Sequence, residues 1–586
     1  MRFGCATMDG MTDAFNSARV VFSRWRERFP DNVFASDPHL DLVLRRFVTG
    51  DRLRAIRKEA DVFGGVVSAE VGPLVETYRA YPPELVKYDG HGNRTEEIRF
   101  HDAYHRAGEL VWQSGLLRHS ATAGASFEQA TLFYLASLEG EMGHMCAATC
   151  TTGAVRVLRR HANQELTGRY LGPMTADDYN RAIRASQFLT EVQGGSDVGA
   201  NATVARDTGS GFEITGEKWF CSVAEAGVFL LLARPEGAPE GTAGLGCFVV
   251  PRELDGSPNG FSIRRLKEKL GTTAMASSEI DFDGARAHLV GGLDDGFKIM
   301  VTAMLNTSRW LNAIGDVGMM RRAYVEASNY AAVRTAFGRR IGDYPLIRRQ
   351  LAEIKAEWLA GLHSTWELTM LDETVDVAAM GGPQPSLEES GFHRYLVNAN
   401  KLSCSLAATD VVRRAIEVLG GNGAIEEFSV LPRLLRDAVV YEQWEGTHNV
   451  LTAQVLRDLG RLGLAGAVLD RTATLLKSIA DEDLGLVADR AQTELEDLAG
   501  KVAESVAEPD YGALHFRGLL ERMVRAHQIA LMLRAAEDAA PSSLAGELSA
   551  AAEILLGRHL QAGYRAEEDP RFGELVDQLV GRDLEG

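Results

Sequence analysis

The chain has 586 residues, of which 45% are hydrophobic and 24% charged, so its composition is that of a globular protein too long for a single core. Its formal net charge of −19 argues against a general affinity for nucleic acid or anionic membranes, although it is compatible with a local basic patch. The six cysteines form no C-x-x-C pair and no apolar run reaches the length of a membrane helix, which predicts a cytoplasmic protein without a disulfide framework.

Hydrophobic periodicity divides the chain into four units after an N-terminal extension over residues 1–34. Residues 35–186 are predicted to be helical, because apolar residues recur at every third and fourth position after the start signal Asp37-Pro38. This repeat is clearest over 103–117 and 128–159.

Between residues 187 and 292 the pattern changes to alternating apolar residues, which predicts a small β-domain. Its strands are predicted at 212–215, 228–233, 247–250 and 279–282. Long helices return over residues 293–460, and they are predicted at 297–333, 346–377 and 392–419, with a Gly- and Pro-rich loop at 380–385.

Residues 461–586 are rich in Ala and Leu and carry charges at helical spacing, which predicts a further helical unit. They contain about 13 Lys and Arg against about 23 Asp and Glu, a net charge of roughly −10. More than half of the net charge of the chain therefore lies in this unit.

Two polar segments of the β-rich unit carry the most specific signal, namely residues 190–197 (TEVQGGSD) and 216–222 (GEKWFCS). Taken alone, the first segment is ordinary turn chemistry before a hairpin. Together, the hydroxyl groups, the glycine turn and the aromatic residues form a surface that can hold one face of a planar heteroaromatic ring and donate hydrogen bonds to its edge. A flavin ring requires such donors.

These segments resemble the flavin-binding consensus of the acyl-CoA dehydrogenase family, T-E-x-x-x-G-S-D followed by G-x-K-x-[WF]-[IC]-[TS]. The resemblance covers about residues 30–460 and implies FAD as the cofactor. It also implies a mainly α fold with a central β-barrel domain, in which a helical N-terminal domain, the barrel and a four-helix bundle follow one another. The corresponding domains are 35–186, 187–292 and 293–460, followed by a C-terminal helical extension over 461–586.

The N-terminal part is similar to the AidB-like branch of this family. Residues 81–101 contain P-P-E-L, Y-D, G-N-R and F-H in the order of the branch pattern, and residues 139–146 (EGEMGHMC) match a segment near the substrate end of its site. Members of the branch are tetrameric FAD proteins, and one binds DNA through a basic C-terminal domain. Because the C-terminal unit here is acidic, we expect no nucleic-acid binding.

The candidate catalytic base is Glu445. Residues 444–447 (WEGT) match the Y-E-G-T segment whose Glu is the base in most members of the family. Removing a weakly acidic α-proton from an acyl thioester, while a hydride leaves Cβ for the flavin, requires one desolvated carboxylate. We expect Trp444 to exclude water and Gly446 to let substrate or cofactor approach the backbone. The alternative is a solvated Glu before a turn.

A minority of the family places its base on an earlier helix, just before the arginine of an R-x-x-x-A-x-G segment. Here Ser308 precedes Arg309 in that segment, and a serine cannot abstract an α-proton unaided. Glu445 is therefore the one base that these motifs supply.

Further cofactor contacts are implied by the resemblance. Residues 334–340 (RTAFGRR) are similar to a segment whose arginine reaches the FAD diphosphate of a neighbouring subunit. Residues 419–423 (LGGNG) resemble Q-x-x-G-G-x-G, although Glu417 stands at the Gln position. An exposed Arg-rich helix end and a helix C-cap are the alternatives for these two segments. The cofactor-binding residues that the resemblance implies are Leu189, Thr190, Gly195, Ser196, Phe220, Ser222, Arg334, Phe337, Gly420, Gly421, Thr447 and Asn449.

A metal site is not expected. His101 and His105 stand four residues apart on a predicted helix with Asp102 between them, but no third ligand has a suitable spacing.

The resemblance predicts a cytoplasmic, homo-oligomeric FAD enzyme, a dimer or a tetramer, that dehydrogenates an acyl thioester of CoA or of a carrier protein. Electrons would pass to a separate acceptor such as an electron-transfer flavoprotein. Two alternatives stay open: an AidB-like stress-response flavoprotein associated with nucleic acid, and a flavin-dependent oxidase or monooxygenase on the same fold. Salt-dependent DNA binding would favour the first, and rapid reoxidation by air the second.

Overall fold

The computed structural model of the protein describes residues 19–561 and 571–584. Of the predicted N-terminal extension, residues 1–18 lie outside the described residues. Residues 19–27 form helix α1, whose buried Trp25 donates from Nε1 to the carbonyl oxygen of Glu326 at 3.2 Å. The described part of the extension is thus attached to the long helices that follow the barrel.

The N-terminal domain is mostly helical, as its periodicity predicts. Its helices are Pro38–Phe47 (α2), Gly50–Val66 (α3, continued by a π-helical turn Val67–Val71), Gly72–Tyr78 (α4), Asp102–Gln113 (α5), Leu116–Ser120 (α6), Ser126–Ser137 (α7), Met145–His161 (α8) and Gln164–Met174 (α9).

The prediction of helix throughout residues 35–186 is wrong over one β-hairpin, formed by strands Glu84–Tyr88 (β1) and Arg94–Arg99 (β2). The two prolines at 82 and 83 lack the N–H groups of a helix and restrict the residue before them, so the helix ends there. Asp89 closes the hairpin, because its Oδ1 accepts from the backbone N–H groups of His91 and Asn93, each at 2.8 Å.

The helix predicted over 128–159 is interrupted between α7 and α8. Gly140, Met142 and Gly143 have φ values of 77°, 40° and 83°, so the chain reverses there. The carboxylate of Glu141 then accepts from the backbone N–H of Cys146 at 3.1 Å, which satisfies a free donor in the first turn of α8.

The middle domain is a closed β-barrel. Its strands are Ala185–Phe188 (β3), Val204–Asp207 (β4), Phe212–Ser222 (β5), Val228–Pro235 (β6), Gly246–Pro251 (β7), Glu253–Leu254 (β8), Ser257–Pro258 (β9), Phe261–Leu266 (β10) and Ser277–Val290 (β11). The barrel closes in the order β11–β5–β4–β6–β7–β11, while β3 adds in parallel to β6 and β10 antiparallel to β11. Strand β3 crosses the domain boundary predicted between residues 186 and 187.

Long helices follow the barrel and pack side by side. They are Gly296–Ile299 (α10, continued by a π-helical turn Met300–Leu305), Asn306–Val333 (α11), Pro345–Ala379 (α12), Leu387–Leu419 (α13), Leu431–Gln443 (α14) and His448–Arg461 (α15), with a small hairpin of Thr335–Ala336 (β12) and Arg339–Arg340 (β13) between α11 and α12. Trp310, Trp358 and Trp366 are buried between them.

The C-terminal unit is helical and packs on α12 of its own chain. Its helices are Ala465–Lys477 (α16), Glu482–Ala507 (α17), Pro509–Ala539 (α18), Ser543–Leu555 (α19, continued by a π-helical turn Leu556–Leu560) and Phe572–Leu584 (α20). Buried Lys355 of α12 pairs with Glu547 at 2.9 Å and with Asp583 at 2.6 Å, and Glu547 also contacts His39 of the N-terminal domain at 2.7 Å.

Candidate active site

The predicted base lies in a short turn between two helices of the bundle. Helix α14 ends at Gln443 and α15 begins at His448, so residues 444–447 connect them. Glu445 has a φ of 58° and Gly446 a φ of 101°, in the left-handed region that residues other than glycine rarely adopt. A glutamate persists in this conformation only where the surrounding structure holds it.

The carboxylate of Glu445 is shielded from water. Gln187 donates from Nε2 to Oε1 at 2.5 Å, while Oε2 is buried and has no hydrogen-bond partner within the described residues. Burial raises the pKa of Glu445 to about 7, against the opposing effects of Arg309, Lys401 and Gln187. A carboxylate with a pKa near neutrality and one free oxygen has the properties of a general base.

Arg309 holds the backbone of the base. It is only 4% exposed, and it donates from Nε to the carbonyl oxygen of Glu445 at 2.9 Å and from a terminal nitrogen to Asn398 Oδ1 at 2.6 Å. Burial lowers the pKa of Arg309 to about 10, so it stays a cation at neutral pH. Its positive charge favours the ionised form of Glu445.

Trp444 and Ser308 flank the base. The partly buried Trp444 donates from Nε1 to Asn312 Oδ1 at 2.5 Å, which fixes its ring. Ser308 is buried, and its hydroxyl accepts a longer bond of 3.4 Å from the same amide nitrogen of Gln187 that binds Glu445. Gln187 therefore joins the two positions at which the sequence motifs place a base.

The two predicted flavin-binding segments lie side by side in the barrel. The carbonyl oxygen of Thr190 accepts from the backbone N–H of Trp219 at 2.9 Å, and Gln187 lies only three residues before Thr190. A methyl group on Gly195 would approach Thr190 Oγ1 to 2.4 Å, so this turn requires glycine. Ser196 in the same turn is exposed. The structure thus brings this segment next to Glu445.

A buried ion pair holds these segments together. Glu191 and Lys218 meet at 2.6 Å, and both side chains are almost fully buried. Asn201 donates from Nδ2 to the carbonyl oxygen of Leu189 at 3.0 Å. Glu191 and Lys218 therefore support the neighbouring residues that the resemblance assigns to the cofactor.

The end of strand β5 presents an aromatic ring and a hydroxyl group. Phe220 is 55% exposed, and Ser222 lies with its Oγ 3.1 Å from Ser277 Oγ. Lys269 donates to the same Ser277 hydroxyl at 3.0 Å. Phe220 and Ser222 belong to the strand that places Trp219 against Thr190, so they are part of the same surface.

A second group of predicted cofactor residues lies at the other end of the bundle. Its members are Arg334, Phe337, Gly420 and Gly421. Arg334 caps the C-terminal end of α11, and Phe337 is 98% exposed at the tip of the β12–β13 hairpin, with a φ of 50°. Asn422 donates to the Tyr330 hydroxyl at 3.1 Å, which places the glycine turn beside the same end of α11.

The length of α11 separates the two groups. Arg309 lies near the start of this helix beside Glu445, and Arg334 follows 25 residues later at its end. At 1.5 Å per residue the two arginines are roughly 37 Å apart along the axis. One chain therefore does not bring Arg334 and Phe337 to its own Glu445.

Thr447 and Asn449 stay close to Glu445 in the chain. Both side chains are exposed, and Thr447 is the N-cap residue of α15 without a side-chain capping bond. Asn449 Oδ1 accepts from Arg517 of α18 at 3.1 Å. The C-terminal unit thus reaches a residue assigned to the cofactor.

Three residues at the site were not found from the sequence: Gln187, Lys401 and Arg517. For Lys401 the available signal was a lysine within an otherwise uncharged helical stretch, residues 395–408. Gln187 lies in the short strand ASQF, where no local signal marks it. Arg517 is one of many charged residues on a helix of the C-terminal unit, so no local signal marks it.

His101 and His105 have separate structural contacts. His101 Nδ1 accepts from the backbone N–H of Ala103 at 3.1 Å as the N-cap of α5, and His105 lies 3.4 Å from the Tyr179 hydroxyl. Across residues 19–561 and 571–584, no three His, Cys, Asp or Glu side chains are grouped to hold a metal ion.

Three family models match consecutive parts of the chain. The adaptive response protein AidB N-terminal domain matches residues 26–181, the acyl-CoA dehydrogenase middle domain matches 186–285, and the acyl-CoA dehydrogenase C-terminal domain matches 294–460.

Individual relatives extend over most of the chain. The putative acyl-CoA dehydrogenase AidB of Escherichia coli is 32% identical over 81% of this chain and 86% of its own. The solved structure of Caenorhabditis elegans ACDH-11 in complex with C11-CoA has a TM-score of 0.82 at 25% identity, over 94% of this chain and 95% of that one. An acyl-CoA dehydrogenase complexed with FAD from Bacillus anthracis has the same fold, with a TM-score of 0.72 at 18% identity over 91% and 95% of the two chains.

The chain therefore belongs to the acyl-CoA dehydrogenase family of flavoenzymes. Within that family it carries an N-terminal domain of the AidB type. The predicted architecture of helical domain, β-barrel, helical bundle and C-terminal helical extension is confirmed. In the part of the chain that the structure describes, every helix is too short or too polar to cross a membrane.

Proposed function

We propose that this protein binds FAD and catalyses the α,β-dehydrogenation of an acyl thioester, with Glu445 as the general base. The observation that carries the proposal is the Glu445 carboxylate, which has a pKa of about 7 and a buried oxygen without a partner. Burying such a group costs folding stability, so its presence points to a function, and it lies next to the segment that resembles a flavin-binding site.

The residues present fit FAD. Near Glu445, Thr190 and Ser222 offer hydroxyl groups for the edge of a planar ring, and Phe220 offers an exposed aromatic face. At the far group, the Arg334 guanidinium suits a diphosphate, because a charge-assisted donor fork matches its oxygens. Bound FAD would supply the acceptor for the hydride that leaves the substrate.

The separation of the two groups favours a cofactor held between two copies of the chain. The roughly 37 Å between Arg309 and Arg334 along α11 exceeds what one compact site spans. We therefore place the flavin end with Leu189, Thr190, Gly195, Ser196, Phe220 and Ser222, the adjoining part with Thr447 and Asn449, and the diphosphate with Arg334, Phe337, Gly420 and Gly421 of a second copy. A homodimer or a tetramer is the corresponding assembly.

Glu445 acts as the base in this scheme. Gln187 occupies Oε1, which leaves Oε2 for the α-proton of the substrate. When Glu445 accepts the proton its carboxyl group becomes neutral, and the burial that raises its pKa favours this neutral form. Arg309 keeps the base in place through the backbone of Glu445.

The substrate class is an acyl thioester of CoA or of a carrier protein. The related ACDH-11, solved in complex with C11-CoA, supports a CoA thioester. When FAD is bound, the electrons taken from the substrate would go to a separate acceptor such as an electron-transfer flavoprotein, and we place the reaction in the cytoplasm. No nucleic acid takes part in it.

Anaerobic titration of the FAD-loaded protein tests the proposal. Short, medium and long acyl-CoA thioesters are added in turn, with free CoA as the control, and the flavin absorbance is followed. We expect at least one thioester to bleach the flavin and free CoA to leave it unchanged. A flavin that dithionite reduces but no thioester reduces would contradict the proposal, and rapid reoxidation by air would favour an oxidase.

A further inference from the structure

Two buried cations from neighbouring helices hold the turn that carries Glu445. Arg309 of α11 donates to the carbonyl oxygen of Glu445 at 2.9 Å. Lys401 of α13 donates from Nζ to the carbonyl oxygens of Glu442 at 3.0 Å and of Gly446 at 3.2 Å. Three carbonyl groups within five residues thus accept charge-assisted hydrogen bonds.

Lys401 contacts the backbone on both sides of the base. Glu442 belongs to the last turn of α14, where carbonyl groups have no partner within their own helix, and Gly446 directly follows Glu445. One ammonium group therefore sets the distance between the helix end and the residue after the base. The left-handed conformation of Glu445, at a φ of 58°, makes such an external hold necessary.

The surroundings of Lys401 make its charge costly in folding free energy, because the ammonium group is removed from water. Its side chain is fully buried, and burial lowers its pKa to about 8. The carboxyl groups of Asp316, Glu442 and Glu445 and the guanidinium of Arg309 face it. The hydrogen bonds that Lys401 makes go to backbone carbonyl groups, so its contribution to the turn is one of shape as well as of charge.

We propose that Lys401 is the positioning residue of the base, because it clamps the carbonyl groups of Glu442 and Gly446 and so holds Glu445 where its free oxygen meets the substrate. This inference rests on the proposed role of Glu445. The clamp itself is a property of the protein backbone and is measurable without substrate.

Lys401→Met removes the ammonium group and keeps the length of the side chain, and Lys401→Gln replaces it with a shorter, neutral donor. Lys355→Met is the matched control. Lys355 is 2% exposed, lies on the adjacent helix α12 and donates to the carbonyl oxygen of Leu579 at 2.9 Å, but its partners belong to the C-terminal unit.

The first measurement is amide hydrogen exchange of the holoprotein over residues 441–451. We expect Lys401→Met to speed exchange in this segment by about tenfold or more, because opening of the turn no longer breaks two hydrogen bonds. Lys355→Met should change exchange in the C-terminal unit and leave residues 441–451 as in the wild type.

The second measurement is flavin reduction by an acyl-CoA at saturating and low concentration across pH. Misplacing the base should lower kcat by about 10- to 100-fold with a smaller change in KM. The midpoint of the pH profile should rise in Lys401→Met, because the positive charge of Lys401 lowers the pKa of Glu445. Lys355→Met should leave the midpoint unchanged.

A folded Lys401→Met or Lys401→Gln protein with wild-type exchange over 441–451 would overturn the clamp, whatever the enzyme does. Faster exchange with an unchanged kcat and midpoint would overturn the positioning role. If no thioester reduces the wild-type flavin, the proposed function fails, and the exchange comparison still decides whether Lys401 holds the turn.

Discussion

Gln187 donates a hydrogen bond of 2.5 Å to Glu445, although 258 positions of the chain separate the two residues. The bond joins β3, the first strand of the middle domain, to the turn between α14 and α15. The geometry of the base therefore depends on how the barrel packs on the helical bundle. Experiments on Glu445 must separate its chemical role from this structural contact.

Glu445→Gln should keep the cofactor and lose turnover. Glutamine preserves the size of the side chain and can hydrogen bond with Gln187, but it cannot accept an α-proton. A general base contributes about 10²- to 10⁴-fold, and we expect a loss at the upper end because the thioester α-proton is weakly acidic and Ser308 cannot replace the base. Flavin reduction in single-turnover experiments measures it.

The control for this substitution is Glu427→Gln, which makes the same change at an exposed residue between α13 and α14. It should reduce its flavin at the wild-type rate. Near wild-type flavin reduction by Glu445→Gln would show that the base lies elsewhere and that residues 444–447 were misinterpreted.

The rate of flavin reduction should rise with pH through about 7. Glu445 accepts a proton only when ionised, and burial raises its pKa from the ordinary 4.5 to about 7. Stopped-flow reduction from about pH 5.5 to 8.5 at saturating thioester should therefore show a rise in rate with its midpoint near 7. A rate independent of pH below 6 would mean that the ionisation of Glu445 does not control the step.

The sequence patterns predict the longer strands of the middle domain but not its short first strand. The strands predicted at 212–215, 228–233, 247–250 and 279–282 all lie within observed strands, because alternation of apolar residues is a local signal. Strand β3 escaped prediction, since it has four residues and pairs in parallel with a strand about 40 residues later.

The residues of the candidate site also differ in whether a local sequence pattern reveals them. The Glu445 segment matched a local pattern, whereas Gln187 and Lys401 reach it only through tertiary packing. A lysine inside a helix reads as a surface residue until its buried partners are known. The hairpin of residues 84–99 was missed for a related reason, because the helical pattern on both sides outweighed the signal of Pro82 and Pro83.

The stability of the protein should also report the ionisation of Glu445. Its pKa is raised in the folded state, so the ionised form is disfavoured by folding, and the fold loses stability as pH rises from about 4.5 to above 7. Glu445→Gln stays neutral and avoids this loss. The melting temperature of Glu445→Gln, relative to that of the wild type, should therefore increase as pH rises from 5 to 8. A difference in melting temperature that stays constant over this range would contradict the raised pKa.

The protein should not bind duplex DNA at moderate salt. The C-terminal unit, residues 461–586, carries a net charge of roughly −10, which repels phosphates. Gel-shift titration of the full chain with duplex DNA at about 0.1 M salt checks this, with a basic DNA-binding protein as positive control. Tight binding that weakens as salt rises would revive the stress-response alternative.

Arg334→Ala should weaken FAD binding. Removing one charge-assisted partner of a buried phosphate costs about 2–5 kcal/mol, so the cofactor should be lost on gel filtration. Arg339→Ala on the adjoining β12–β13 hairpin is the matched control, because the Arg339 guanidinium packs over the Tyr344 ring at 4.0 Å. That variant should keep its FAD.

If the cofactor lies between two copies, each site takes Glu445 from one chain and Arg334 from another. Neither Glu445→Gln nor Arg334→Ala alone should turn over, but a hybrid has one site in which both residues are intact. Subunits separated, mixed with FAD and reassociated should therefore regain a substantial fraction of wild-type activity. Glu445→Gln mixed with the double variant Glu445→Gln/Arg334→Ala should regain none. Mass measurement should first demonstrate that hybrids of the two single variants have formed. If that mixture is then as inactive as its components, Arg334 lies outside the site that contains Glu445.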